Sequence, residues 1–153
     1  MLCNRKCFAE KALTISIGLT LLFIWGNSML DGEMSASVSN GLLDYIRPLL
    51  DLLGLQFASD IWLRKLAHFC EFALLGAEFS ALSFLKYKRR FWDYSLCALY
   101  CLAAAAADET IQYFSGRYPH ILDVLLDFSG GLFGIVLMLI VLSAVIGYKG
   151  KTI

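Results

Sequence analysis

Charge is scarce in this chain. Of its 153 residues 17% are charged, and 13 basic side chains are balanced by 13 acidic ones, for a formal net charge of zero. Soluble domains carry about 25% charged residues. Without a basic excess there is no surface to neutralise a phosphate backbone, so the composition argues against a nucleic-acid-binding protein. Disorder is excluded as well, because it requires low hydrophobicity and high net charge. The cysteines have neither disulfide nor zinc spacing. Cys3 and Cys7 lie near the start, while Cys70, Cys97 and Cys101 fall within apolar stretches and are expected to be buried structural thiols. Internal repeats are absent, and the single low-complexity run is Ala103–Ala107.

What the chain has instead is apolar surface: 59% of its residues are hydrophobic. A soluble domain of this size leaves about a third of the unfolded chain's area in contact with water and could not hide so much. The apolar residues come in blocks long enough to cross a bilayer. Four spans are expected, at about 12–30, 65–85, 92–114 and 124–148. The first and last are uncharged in their apolar cores, the second contains His68, Glu71 and Glu78, and the third ends on Asp108 and Glu109. The expected fold is therefore an all-α membrane protein, a bundle of four transmembrane helices forming one domain over residues 1–153.

Basic residues orient such a bundle, because they stay on the cytoplasmic side. Arg5, Lys6 and Lys11 precede the first span, Lys86, Lys88, Arg89 and Arg90 separate the second and third, and Lys149 and Lys151 follow the fourth. Only Arg47, Arg64, Lys65 and Arg117 fall on the other side. Both termini are thus expected in the cytoplasm. A cleaved signal peptide shares the charged start and apolar run of the first segment, but no small-x-small site follows closely, and the remaining topology is the same either way. In the first outer loop, residues 40–56 carry Leu42, Leu43, Ile46, Leu49, Leu50 and Leu53 on one helical face and Asp44, Arg47 and Asp51 on the other. This reads as an amphipathic helix, capped by Asn40 and interrupted at Pro48, lying in the outer interface or over the bundle as a lid.

The expected topology gathers ionisable groups at one level. Lys65, His68 and Glu71 lie at the outer end of span two, Asp108, Glu109 and Gln112 at the outer end of span three, and Asp123 and Asp127 at the start of span four, with Arg117 and His120 in the loop between. At about 100° per residue, Lys65, His68, Glu71 and Glu78 occupy an arc of about 140°, and Asp123, Asp127, Gly130 and Gly134 a stripe of about 60°. Asp108 and Gln112 share a stripe, with Glu109 to one side. Gly130 and Gly134 form a small-xxx-small pair for close helix packing. Ionisable groups within a span cost about 2.5–3.5 kcal/mol each, and so usually mark function. Any one of them has a structural explanation: Lys65 can snorkel, and Asp123 can sit at a helix N-terminus. The set on three helices is harder to explain that way. Glu78 lies about 20 Å deeper than Lys65 and is expected to be held by hydrogen bonds within the bundle.

Two strings here resemble the signatures of the VanZ-like membrane proteins. Lys65-Leu-Ala-His68-Phe-Cys-Glu71-Phe-Ala-Leu-Leu-Gly76 is similar to the first. Asp108-Glu109-x-x-Gln112-x-Phe114-x-Gly116-Arg117, followed by Asp123-x-x-x-Asp127-x-x-Gly130-x-x-x-Gly134, is similar to the second. Asn27-Ser28, Gly32 and Ser35 resemble the family's lead into its outer loop, so the likeness runs from the end of span one to span four. Phe72 stands where the family commonly has Tyr, Ser115 where Pro is frequent, and Tyr118-Pro119-His120 is an unusual linker. The resemblance implies a bacterial cytoplasmic-membrane protein of the cell envelope and a link to resistance against the glycopeptide teicoplanin, without implying a mechanism.

Three functional readings follow from the residues. The first is an outward-facing site that binds a membrane lipid or a lipid-linked, anionic envelope precursor through Lys65, Gln112, Arg117, Asp123 and Asp127. The second is a membrane-embedded acid/base enzyme on such a substrate, with His68, Glu71, Asp108 and Glu109 as its catalytic groups. The third is proton or ion conduction through Glu78. No cofactor is expected, although Asp108, Glu109, Asp123 and Asp127 offer hard oxygen ligands to a divalent cation.

Overall fold

The computed structural model describes residues 2–30, 60–86, 91–118 and 120–150, with ten single positions between 34 and 52. Four long helices account for nearly all of it, and there is no strand among the described residues. They are α1 (Leu2–Ser28), α2 (Asp60–Lys86), α3 (Phe91–Phe114) and α4 (Ile121–Gly150). Segments within α1, α2 and α4, namely Lys6–Ser28, Ile61–Lys86 and Ile121–Val145, are long and apolar enough to cross a membrane. α3 has the length but is not among these segments, because Asp93, three tyrosines and the Asp108-Glu109-Thr110 end dilute its alanines.

The helices overrun several of the expected spans. α1 begins ten residues earlier than the apolar run and stops at Ser28 rather than residue 30, α2 begins at Asp60, and α4 begins at Ile121. An apolar run marks what sits in lipid, whereas helix continues through charged ends that satisfy each other, as Lys6 and Glu10 do at 4.0 Å. In the expected interfacial segment, Asn40, Asp44, Arg47 and Asp51 are exposed and have helical backbone, as does Pro48, and Arg47 lies 3.5 Å from Asp44. Its apolar positions Leu42, Leu43, Ile46, Leu49, Leu50 and Leu53 lie outside the described residues.

Helix α2 is central: it packs on all three others, and its interface with α4 is the most extensive in the bundle. Gly130 of α4 meets the backbone of Phe69, and Gly134, four residues on, meets that of Ala73. Both chains therefore advance together, and α2 and α4 run parallel. A β-carbon at Gly134 would overlap the Ala73 carbonyl oxygen, and one at Gly76 would overlap that of Gly131. Small residues permit this approach, which gives helices in lipid their packing energy in the absence of a hydrophobic drive. Phe69 and Phe133 close one side of the crossing with ring centroids 5.7 Å apart.

The remaining core is apolar on both sides of α2. Ile17 and Ile24 of α1, Phe72 and Leu75 of α2 and Ala104 and Ala105 of α3 form one cluster. Cys97 and Cys101 of α3 with Ile135 of α4 form another. Two of the thiols are thus buried as expected, but Cys70 is exposed on the outside of α2, one residue beyond the face that meets Gly130. Glu78, almost fully buried, accepts a 2.5 Å hydrogen bond from Ser16 Oγ. Large apolar side chains such as Leu19, Leu22, Phe133, Val136 and Ile140 cover the outside of the bundle, where lipid would meet them.

If the α2–α4 contact holds the bundle together, Gly134→Val should destabilise it by about 1–3 kcal/mol or more through overpacking. Thermal unfolding in detergent, followed by circular dichroism, measures this. Gly18→Ala, where an added β-carbon meets nothing within 4 Å, should not lower the transition and should raise it slightly, because alanine is the better helix former.

Candidate functional site

The parallel course of α2 and α4 places both their N-termini at the end of the bundle away from the chain termini. The C-terminal ends of α1 and α3 arrive there too, as the pairing of Ser28 on α1 with Asp108 on α3 requires. The polar residues of the sequence meet at this end.

Helix α3 ends in a tight cap. Gly116 adopts a left-handed conformation with φ of 80°. Its N–H bonds the Tyr113 carbonyl at 3.2 Å, and that of Arg117 bonds the Gln112 carbonyl at 3.1 Å. This is the paired hydrogen-bond pattern of a Schellman cap, which favours glycine at the left-handed position. The turn sends Arg117 back over the bundle, where its Nη2 donates to the carbonyls of Leu30 at 2.8 Å and Asn27 at 3.2 Å. Those carbonyls close the end of α1, so the guanidinium serves as that helix's C-terminal partner.

Asp108 is fully buried at the centre. Ser28 Oγ donates to its Oδ1 at 2.6 Å, and Gln112 Nε2, one helical turn further on, donates to its Oδ2 at 2.7 Å. His68 Nδ1 lies 3.8 Å from Asp108 Oδ2 and 3.9 Å from Glu71 Oε2, near both carboxylates but hydrogen-bonded to neither. Asn27 Nδ2 reaches Glu71 Oε1 at 3.4 Å. Asp127, 2% exposed, enters from α4 so that His68, Asp108 and Asp127 each offer a donor atom within 4.8 Å of the other two.

Above this group opens a cavity of about 360 Å³, lined by Arg64, Lys65 and His68 of α2, Gln112 and Arg117, and Asp123 and Asp127 of α4, among others. That volume is at the lower end of the range for small-molecule sites. Its mouth is cationic, and the buried carboxylates lie toward its floor. Lys65 is held by Asp123 through a short ion pair across the α2–α4 interface. Arg64 makes no ion pair among the described residues.

Sequence-predicted residues are thus divided between two places. Lys65, His68, Gln112, Arg117, Asp123 and Asp127 line the cavity, and Glu71 and Asp108 lie against His68. Glu109 turns elsewhere: its Oε1 accepts the His120 N–H at 2.6 Å at the start of α4, and it borders a separate groove with Ala106, Tyr113 and Val124. Of the four acids considered for a cation, only Asp108 and Asp127 converge, and His68 joins them. Gly130 and Gly134 lie in the helix crossing just below. Arg64 and Ser28 were not singled out as site residues. Arg64 precedes His68 by four residues and shares its helical stripe, a signal the sequence does carry. Ser28 falls in the Asn27-Ser28 pair that resembles the family's lead into its outer loop, but nothing in the sequence pairs it with Asp108, since only the fold brings α1 to α3.

Among known proteins, the family model described as VanZ/LLP1 matches residues 11–142. No curated protein and no solved structure matches the chain.

Two substitutions test this framework. Ser28→Ala leaves buried Asp108 short of a hydrogen bond and should lower stability by about 1–3 kcal/mol. Gly116→Ala forces a left-handed conformation on a residue with a β-carbon and should cost about 1–2 kcal/mol. Denaturant unfolding in mixed micelles reads both, and a wild-type transition for either would contradict the assigned contact.

Proposed function

This chain is a membrane protein of the VanZ/LLP1 family, and from that premise we propose that its polar cavity binds the anionic headgroup of a membrane lipid or lipid-linked envelope precursor. The observation that carries the reading is the cavity's lining: Arg64, Lys65 and Arg117 contribute three cations, beside Asp123 and Asp127, to a space of about 360 Å³ at the end of the bundle where α2 and α4 begin. Arginine's planar fork suits phosphate and carboxylate groups. Basic residues concentrated at the opposite end, by the positive-inside rule, orient the cavity toward the outside of the cytoplasmic membrane. Such a site on the outer leaflet would meet envelope precursors where they are exposed, and reduced teicoplanin susceptibility in cells expressing the chain is the corresponding phenotype.

Binding is measurable by native mass spectrometry of protein released from nanodiscs containing phosphatidylglycerol and phosphatidylcholine. The wild type should retain phosphatidylglycerol. Arg64→Ala should reduce that retention about tenfold, the equivalent of one charge-assisted hydrogen bond. Equal retention of the two lipids, or no effect of Arg64→Ala, would rule the reading out. Arg64 is the informative position because Arg117 also holds the end of α1.

A second reading has one observation in its favour. His68 faces the cavity with Asp108 and Glu71 within 3.9 Å of its Nδ1, the arrangement of a general acid–base with orienting carboxylates. If the site turns over a lipid-linked substrate, His68→Ala should abolish product formation while lipid retention persists. Product formation at the wild-type rate would remove His68 from that role.

A further inference from the structure

Toward the floor of the cavity lie carboxylates with no cation of their own. Asp108 is fully buried, and both its hydrogen-bond donors, Ser28 and Gln112, are neutral. Asp127 is 2% exposed, lines the cavity, and takes no hydrogen bond or ion pair among the described residues. Of the three cations lining the cavity, Lys65 pairs with Asp123, Arg117 donates to the carbonyls of Asn27 and Leu30, and Arg64 makes no ion pair with either carboxylate among the described residues. A carboxylate held away from water is protonated, paired or bound to a metal, because an uncompensated charge is too costly to bury.

We propose that His68, Asp108 and Asp127 together bind one divalent transition-metal ion at the floor of the cavity. Their donor atoms lie within 4.8 Å of one another. Around an ion with bonds of about 2.0–2.2 Å they would stand roughly 3–3.6 Å apart, so binding requires a closure of up to about 1.2–1.8 Å from the 4.8 Å limit, within reach of side-chain rotation. One imidazole nitrogen with two carboxylates is a mixed donor set, suited to zinc, manganese or iron(II) rather than to calcium or magnesium, which take oxygen ligands. Ser28 and Gln112 fix the Asp108 carboxylate from behind, and Glu71 is placed to orient the imidazole, as outer partners of metal ligands do. Three protein ligands leave coordination positions open toward the cavity. Glu109 and Asp123 stay outside the set, because one accepts the His120 N–H and the other holds Lys65. The metal is proposed on this donor set alone and does not require the headgroup reading.

The test uses the full chain in detergent, stripped with chelator and titrated with Mn²⁺ as the probe. Electron paramagnetic resonance should show one bound Mn²⁺ per chain, displaced by Zn²⁺, with nitrogen modulation from a single imidazole. His68→Gln should remove the nitrogen modulation, Asp127→Asn should weaken binding by about tenfold or more, and Glu109→Gln should change it by less than about threefold. Absence of stoichiometric Mn²⁺ binding by the wild type overturns the proposal, and so does nitrogen modulation that survives in His68→Gln. These outcomes stand even if Asp127→Asn fails to fold. Mn²⁺ binding without phosphatidylglycerol retention would overturn the headgroup reading alone, and the converse would overturn the metal site alone.

Discussion

Backbone-to-backbone contact between α2 and α4 is the constraint on which the rest of this structure depends. Phe69 and Ala73 of one helix touch Gly130 and Gly134 of the other, and Gly76 meets Gly131. Because the contact is parallel, it sets register as well as distance. Asp127 comes level with His68, and Asp123 level with Lys65, so the helices are locked by small residues in one half and joined by charge in the other. Side chains bulky enough to part them would move Asp127 away from His68 and Asp108 and open the cavity floor. α3 then completes the arrangement by supplying Asp108 from its last full turns.

The polar end also settles how α1 is held. Through the middle of the bundle it contributes Ile17 and Ile24 to an ordinary apolar core. At its end, attachment becomes specific: Ser28 is bonded to Asp108, Asn27 reaches Glu71, and the last carbonyls accept from Arg117. Arg117 thus has two tasks that a sequence reading merges into one. It lines the cavity, and it closes a helix end that would otherwise leave backbone acceptors unsatisfied in a low-dielectric setting. The Gly116-Arg117 pairing has a mechanical basis in this: the left-handed glycine is what turns the chain so that the arginine faces α1.

Much of this was legible in the residues. Apolar runs located the four helices, because lipid-facing length is a composition property, while their true ends lay in charged residues that composition reads as loop. The expected topology put His68, Glu71, Asp108 and Asp127 at one level. Angular spacing set Glu109 to one side of Asp108, as neighbouring positions on a helix diverge by about 100°, yet the residue types still grouped the two as site acids, whereas the structure sends Glu109 to His120. The Gly130 and Gly134 stripe was visible, but its partner was not. Either neighbouring helix could receive a small-residue face, and only the packed bundle selects Phe69 and Ala73 of α2. Ser28 lay beyond reach for the same reason, since its function exists only across 80 residues of chain. The Phe72 departure from the family's usual Tyr has a simple counterpart: the ring is completely enclosed in the apolar cluster with Ile24 and Leu75.

The parallel α2–α4 pairing has a consequence for biogenesis. The two helices are separated in sequence by all of α3, so their contact cannot form until α4 has been made. During synthesis the acids of α2 and α3 must wait, unsupported by α4, until the last quarter of the chain has been threaded into the membrane. The polar site is complete only once α4, which carries Asp123 and Asp127, docks its glycine face on α2. A nascent chain arrested before Gly130 would present the membrane's quality-control machinery with uncompensated carboxylates and an uncovered α2 surface, whereas completion removes both signals at once.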